Sequence, residues 1–322
     1  MLARITALLS AALVAGCTSE RIAGRAMTPD QVPFDRVNAN SPIGYEFTNI
    51  DVEGAVATIA FGINARGDIV GVYSDGKQVH GFLRQNGVVT TIDYTGSADG
   101  TVLGTEARGI GPNGEIVGDY WTDKEQFPSV ADHGFRRSPS GEFTRVDFPN
   151  HVNTIAQRIL PDGTILGCRH DQNTLDTMHG IMIGRADTTE LDDGMSMTNG
   201  ATPDHRRSVG LISMNGLQQA FLVSDGTLTP FMIPSSTATT AWDMNPSGEI
   251  VGWYRDTRAV PIHGYVMTDD GYESIDIPDV PNLTATRVFG INAGGDVVGN
   301  YSVTVNKVTT THAFVALAKR AH

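Results

Sequence analysis

The sequence predicts an all-β protein. The expected fold is a six-bladed β-propeller with four antiparallel strands per blade, closed by an N-terminal strand at 47–52. Three observations predict it. A unit reading Gly62-Ile-Asn-Ala-Arg-Gly-Asp-Ile-Val-Gly-Val-Tyr73, then His80-Gly-Phe82, recurs towards the C-terminus. Its apolar-Gly step falls at Gly71, Gly118, Gly167, Gly210, Gly252 and Gly299, at spacings of 42 to 49 residues, the period of a propeller blade. The last unit also stops one strand short, while a matching strand stands ahead of the first.

The chain begins with an expected signal. Arg4 precedes the apolar run Ile5–Val14, which ends in Val14-Ala-Gly-Cys17. The run is too short to span a bilayer as a helix, and small residues follow it as at a signal-peptide cleavage site. Residues 1–16 are read as the signal and 17–42 as a tether rich in Ser, Arg, Pro, Asp and Asn. The motif resembles the bacterial lipoprotein box, which implies a lipid on Cys17 and a membrane anchor without a spanning helix. By the same resemblance Thr18 points to the outer membrane, facing the periplasm or the cell surface. An ordinary signal peptide with an incidental cysteine is the alternative.

The domain is expected over 43–322. Within each unit, strand a reads Thr-x-Ala-x-Gly-Ile-Asn, as in Thr58–Asn64. An Asn-x-x-Gly turn follows, in which Asn caps and Gly takes a positive φ. Strand b is Asp-Ile-Val-Gly-Val-Tyr73 and its equivalents, strand c opens on His-Gly-Phe, and strand d is Val89–Tyr94, Phe143–Phe148 or Tyr272–Ile277. Their apolar and polar residues alternate as half-buried strands require. The sixth unit ends after strand c at His312–Leu317, and Phe47-Thr-Asn-Ile-Asp-Val52 matches strand d. Joining the two removes an open edge. In the fourth unit Ala201–Gly210 lacks the Asn-x-x-Gly signature, so the form of its a–b turn is open.

The repeated Gly-Ile-Asn-x-x-Gly-x-Ile-Val-Gly, followed by His-Ala/Gly-Phe, resembles the bacterial extracellular HAF repeat over nearly all of 45–317. The resemblance implies architecture and export, and implies no chemistry.

Composition excludes some partners. Net charge is −13, from 36 acidic and 23 basic residues, which argues against nucleic acid and polybasic membrane contacts. Cys17 and Cys168 are the two cysteines, so no intrachain disulfide is expected in the mature protein. No nucleophile elbow, zincin helix or phosphate loop is present. No cofactor or metal is expected, and a monomer is.

His80, His133, His179, His263 and His312 hold one position in five units, and Asp93, Asp147, Asp192, Asp276 and Asp51 hold another. A residue present in every blade cannot define a single active site. A structural His–Asp hydrogen bond per blade is expected, and a metal role is the lesser reading. Function should lie where units differ, on the face of the b–c and d–a loops. The candidates there are Glu106, Arg108, Asp119, Trp121, Arg158, His170, Trp242, Arg255 and Arg287. Such an aromatic, Arg-rich rim suits an anionic or sugar-like ligand, whether small molecule, glycan or protein. The alternative is that these charges only pair across the channel mouth. Cys168, beside Arg169 and His170, is either a packed thiol or an activated one. A binding or interaction module is the leading functional expectation. A lyase or hydrolase acting on a carbohydrate or lactone, with His170, Glu106 and Arg108 as its acid–base set, is the second.

Overall fold

A computed structural model describes residues 44–319, apart from 99, 125–131, 152, 171–177, 186, 192–194 and 259–261. The expected signal, Cys17 and the tether lie outside the described residues. Those described form twenty-four strands and no helix. Strand a to strand d of the first repeat are Ala57–Ile63, Ile69–Ser74, Val79–Gln85 and Val88–Ile92, paired antiparallel in that order. The same meander follows at Val102–Arg145, Asn153–Glu190, Met195–Phe231 and Ala238–Ile275. The last repeat supplies Leu283–Ile291, Val297–Val305 and Val308–Lys319.

Its fourth strand comes from the N-terminus. Gly44–Asn49 pairs antiparallel with Val308–Lys319, from Gly44 opposite Lys319 to Asn49 opposite Phe314. The strand thus begins three residues earlier than the expected 47–52 and ends before Ile50, whose N–H still donates to Ala313 O. The hydrogen-bonded path is open: sixteen strands share one sheet, and the third and fourth repeats form separate four-stranded sheets.

The repeated residues have local physical causes. Each strand a carries a β-bulge two residues after the position facing strand b's residue beyond its Gly, as between Ala60 and Gly62 or Ala241 and Asp243. The bulge drives a strand-a carbonyl against the marker glycine. A Cβ on Gly71 would lie 2.1 Å from Ile59 O, and on Gly118 1.8 Å from Glu106 O. No side chain fits there. The aromatic of His-Gly-Phe covers the gap from strand c: Gly71 faces Phe82, Gly118 Phe135, Gly210 Phe221, Gly252 Tyr265 and Gly299 Phe314. All five rings are fully buried, each contributing about 1.5–3 kcal/mol of apolar burial.

Side chains at the a–b turns join neighbouring repeats. Asn64 Oδ1 accepts from Arg66 N and Asp68 N, while its Nδ2 donates to Gly111 O in the next repeat at 3.4 Å. Asn245 reaches Asn292 O in the same way, and Asn292 reaches Asn64 O. The fourth repeat keeps this turn without its signature. Thr202 Oγ1 contacts Asp204, and His205 adopts φ 59° where the other turns place Gly. The strand-a Thr accepts from the backbone after the preceding strand d, as Thr58 does from Val52 and Thr105 from Tyr94.

The repeated histidines pair as expected in three repeats. His80 Nδ1 lies 2.8 Å from Asp93, His263 2.8 Å from Asp276 and His312 2.7 Å from Asp51. In each the ring also stacks on the strand-b tyrosine, Tyr73, Tyr254 or Tyr301. In the second repeat Arg145 comes between the expected partners: its Nη2 lies 2.8 Å from His133 Nδ1 and its Nε donates to Asp147, which stands 3.4 Å from the ring. In the third repeat the expected partner Asp192 lies outside the described residues, and His179 meets Glu190 at 3.2 Å. Arg169 stands where four other repeats have tyrosine and also bonds Glu190, so one carboxylate serves both side chains.

Candidate functional site

The bulged residues of the six repeats are Phe61, Arg108, Gln157, Asn199, Trp242 and Phe289. A bulge re-aims one side chain out of the alternating pattern, and here it brings most of these residues together. Phe61 and Phe289 lie 5.3 Å apart, Phe289 and Trp242 4.8 Å, and Arg108 sits 5.1 Å over Phe61. Arg108 Nη1 donates to Gln157 Oε1 at 3.3 Å, and Asn199 Nδ2 to Ala241 O at 2.8 Å.

The residue after the bulge is Gly62, Gly109, Gly200 or Gly290 in four repeats, where a Cβ would press a neighbouring repeat's backbone at 2.7–2.9 Å. The other two hold Arg158 and Asp243, an ion pair at 3.2 Å. Arg158 Nη1 donates to Arg108 O and Gln157 O. Its Nη2 donates to Phe61 O, Phe289 O and, at 3.5 Å, Trp242 O. One guanidinium thus ties the carbonyls of five repeats through its two Nη groups, while its Nε faces the Asp243 carboxylate. Arg158 was expected at the ligand rim, and its donors are engaged by the scaffold. Burial pushes the Asp243 carboxyl up in pKa, against the Arg158 charge.

Towards strand b, Arg108 bonds both Glu106 and Asp119. Two carboxylates share one cation in a buried site. Burial raises Glu106 to about 7, Arg108 opposes the rise and Asp119 adds to it. Burial raises Asp119 too, against Arg108. The expected acid–base set is brought together in part: Glu106 and Arg108 are paired, while His170 Nε2 lies 3.7 Å from Cys168 Sγ. Burial pushes the Cys168 thiol up, so the packed reading of that cysteine fits and an activated thiolate does not.

The remaining candidates gather in a second sector. Trp121 and Trp242 share one apolar cluster with Phe61, Phe289, Ile59, Val72 and Trp253. Trp253, one residue before Tyr254 on strand b, was absent from the candidates. Its position after the marker Gly is the one occupied by Asp119 in the second repeat, and that alignment is the signal for it. Arg287 lies 5.7 Å over the Trp253 ring. Arg287 is 4 % exposed, and burial, then the Arg255 charge, bring its guanidinium down to about 10.

A cavity of about 160 Å³ opens among the a–b turns. Ala65, Pro112, Pro161, Pro203, Pro246 and Ala293, one per repeat, rim it over Arg158 and Asp243. Sequence reasoning missed this cavity; the same turn position in all six repeats is what could have found it. Among the described residues no cluster of His, Cys, Asp and Glu could hold a metal.

No protein-family model matches the chain, and no curated protein matches it. Solved structures of β-propeller type are similar to it in fold. TolB from Acinetobacter baumannii shares 12 % identity at a TM-score of 0.49, over 68 % of this chain and 54 % of that one, so the chain spans about half its length. The nidogen of a nidogen/laminin complex shares 9 % over 82 % and 99 % at 0.44. A gluconolactonase from Xanthomonas campestris shares 12 % over 85 % and 90 % at 0.48.

Proposed function

We propose that the chain is a closed six-bladed propeller whose channel binds a specific ligand at the mouth bearing Glu106, Arg108, Asp119, Trp121, Trp242, Arg255 and Arg287. Closure is supported by the Asn292–Asn64 hydrogen bond, the pairing of Gly44–Asn49 with the last repeat, and the reach of Arg158 to five repeats. The observation that carries binding is the asymmetry of the bulge positions. Scaffold positions repeat the same residue, while these carry two phenylalanines, an arginine, a glutamine, an asparagine and a tryptophan. Packing alone has no need of that mixture, and a specific ligand does. A thermal-shift screen of glycans, metabolites and proteins on the purified chain tests it, with Arg108→Ala and Trp242→Ala as controls. A ligand whose effect survives both changes would place binding elsewhere.

One observation favours the second reading, a lyase or hydrolase on a carbohydrate or lactone. Glu106 is raised to about 7, where a general acid or base works best. Turnover abolished by Glu106→Gln with the fold intact would select it. In the same proposal the chain is an exported, HAF-repeat lipoprotein tethered through Cys17 to the outer membrane and acting as a monomer. Metabolic labelling with a fatty acid, lost in Cys17→Ser, tests the anchor.

A further inference from the structure

The channel holds buried cations of two kinds. Arg108 and Arg158 each have a counter-charge, the first two carboxylates and the second Asp243, with carbonyls around it. Arg287 is different. It is as buried as they are and its Nε has no hydrogen-bond partner; Arg158 Nε also lacks a hydrogen bond but lies 3.2 Å from Asp243, whereas no carboxylate lies within ion-pair distance of Arg287 among the described residues. The charge acting on it is Arg255, which repels it. Its cross-strand neighbour is Asn300, itself buried. Two more donors in this sector are unanswered: the indole Nε1 atoms of Trp242 and Trp253 are buried without a partner.

Buried donors without acceptors are costly, and a buried guanidinium is the costliest of them because it stays charged at neutral pH. Folded proteins keep such groups where water, an ion or a ligand supplies the missing acceptor. The planar guanidinium forks onto two oxygens of an oxyanion, and indole N–H groups donate without carrying charge. The Glu106–Asp119 pair, which would repel an anion, belongs to another repeat and has Arg108 as its counter-ion.

We infer that Arg287, Arg255 and the indoles of Trp242 and Trp253 form a binding site for the oxyanion of a small organic acid, a carboxylate or phosphate. This rests on the reading of the channel as a ligand site and names the ligand's class.

All three tryptophans of the chain lie in the cluster beside this site, so intrinsic fluorescence reports on it directly. The full-length chain in detergent is titrated with inorganic phosphate, acetate and succinate, against chloride at matched ionic strength. A saturable fluorescence change with a rise in melting temperature is expected from phosphate or from the carboxylates, and which arm responds identifies the group. Arg287→Gln should weaken the response at least tenfold, and Arg255→Gln should weaken it less. In the absence of anions Arg287→Met should melt no lower than wild type, since it removes an unpaired charge. Responses equal to chloride, or unchanged by Arg287→Gln, overturn the assignment. If oxyanions are silent while a neutral glycan quenches the indoles saturably, the channel binds a ligand and the anion assignment alone is wrong. Silence towards every compound of the ligand screen as well would end both readings.

Discussion

His312 Nδ1 lies 2.7 Å from Asp51 Oδ2, joining residues 261 positions apart in the chain. Asp51 also accepts from Ala313 N at 2.8 Å. The same His–Asp contact occurs inside single repeats at His80–Asp93 and His263–Asp276. The N-terminal segment therefore completes the last repeat with the bond that the others make locally. Deleting residues 43–54 should cost several kcal/mol, a large share of the stability of an ordinary domain. A deletion variant with an unchanged denaturant midpoint would refute the closure.

The His–Asp bonds should differ in worth by burial. His263 is 6 % exposed at its side chain and His312 32 %. His263→Ala should lower stability by about 1–3 kcal/mol, the usual effect of orphaning a buried polar partner, and His312→Ala by less. Ligand affinity should be unchanged in both. Chemical denaturation beside a binding titration checks the pair.

Arg158 should prove structural. Arg158→Met leaves the carbonyls of five repeats and the Asp243 carboxylate without their cation, and should cost about 3–5 kcal/mol. Removing Asp243 as well, by Asp243→Gly, returns that position to the residue of the other repeats. The double variant should be more stable than additivity predicts. Additive losses in a double-mutant cycle would show that the two side chains act independently.

Glu106 sets a pH dependence. Its folded pKa of about 7 lies above the ordinary 4.5, so the folded state holds the proton more tightly than the unfolded state. The associated stability is complete below about 4.5 and is lost as pH rises towards about 7. Melting temperatures across this window should fall more steeply for wild type than for Glu106→Gln. Parallel curves would mean that Glu106 titrates as an ordinary carboxyl.

The two faces should differ in function. Arg108→Ala or Trp242→Ala should weaken ligand binding at least tenfold, about 1.4 kcal/mol. Arg66→Ala, at a half-exposed turn residue on the other face bonded to Asp68, should do little. Sensitivity at Arg66 with silence at Arg108 and Trp242 would move the working site to the cavity ringed by Pro112, Pro161, Pro203 and Pro246.

The sequence by itself determined the meander of four strands per repeat, the partnership of the N-terminal strand with the last repeat, and most His–Asp pairs. These follow from local periodicity: alternation, turn residues and a fixed His-to-Asp spacing state which residues face each other across a hairpin. What the spacing does not state is a third side chain at the same ring, as Arg145 beside His133 and Glu190 beside His179. The fates of the buried arginines belonged to the tertiary structure. Arg108, Arg158 and Arg287 look alike in the sequence, each a charge where the first repeat carries Phe61, Gly62 or Ile59. One meets two carboxylates within its own repeat, one meets carbonyls up to 131 positions away, and one meets tryptophan and another arginine. A cation's role depends on which acceptors lie within about 3 Å of it, and at an axis where separate repeats converge no local spacing encodes that.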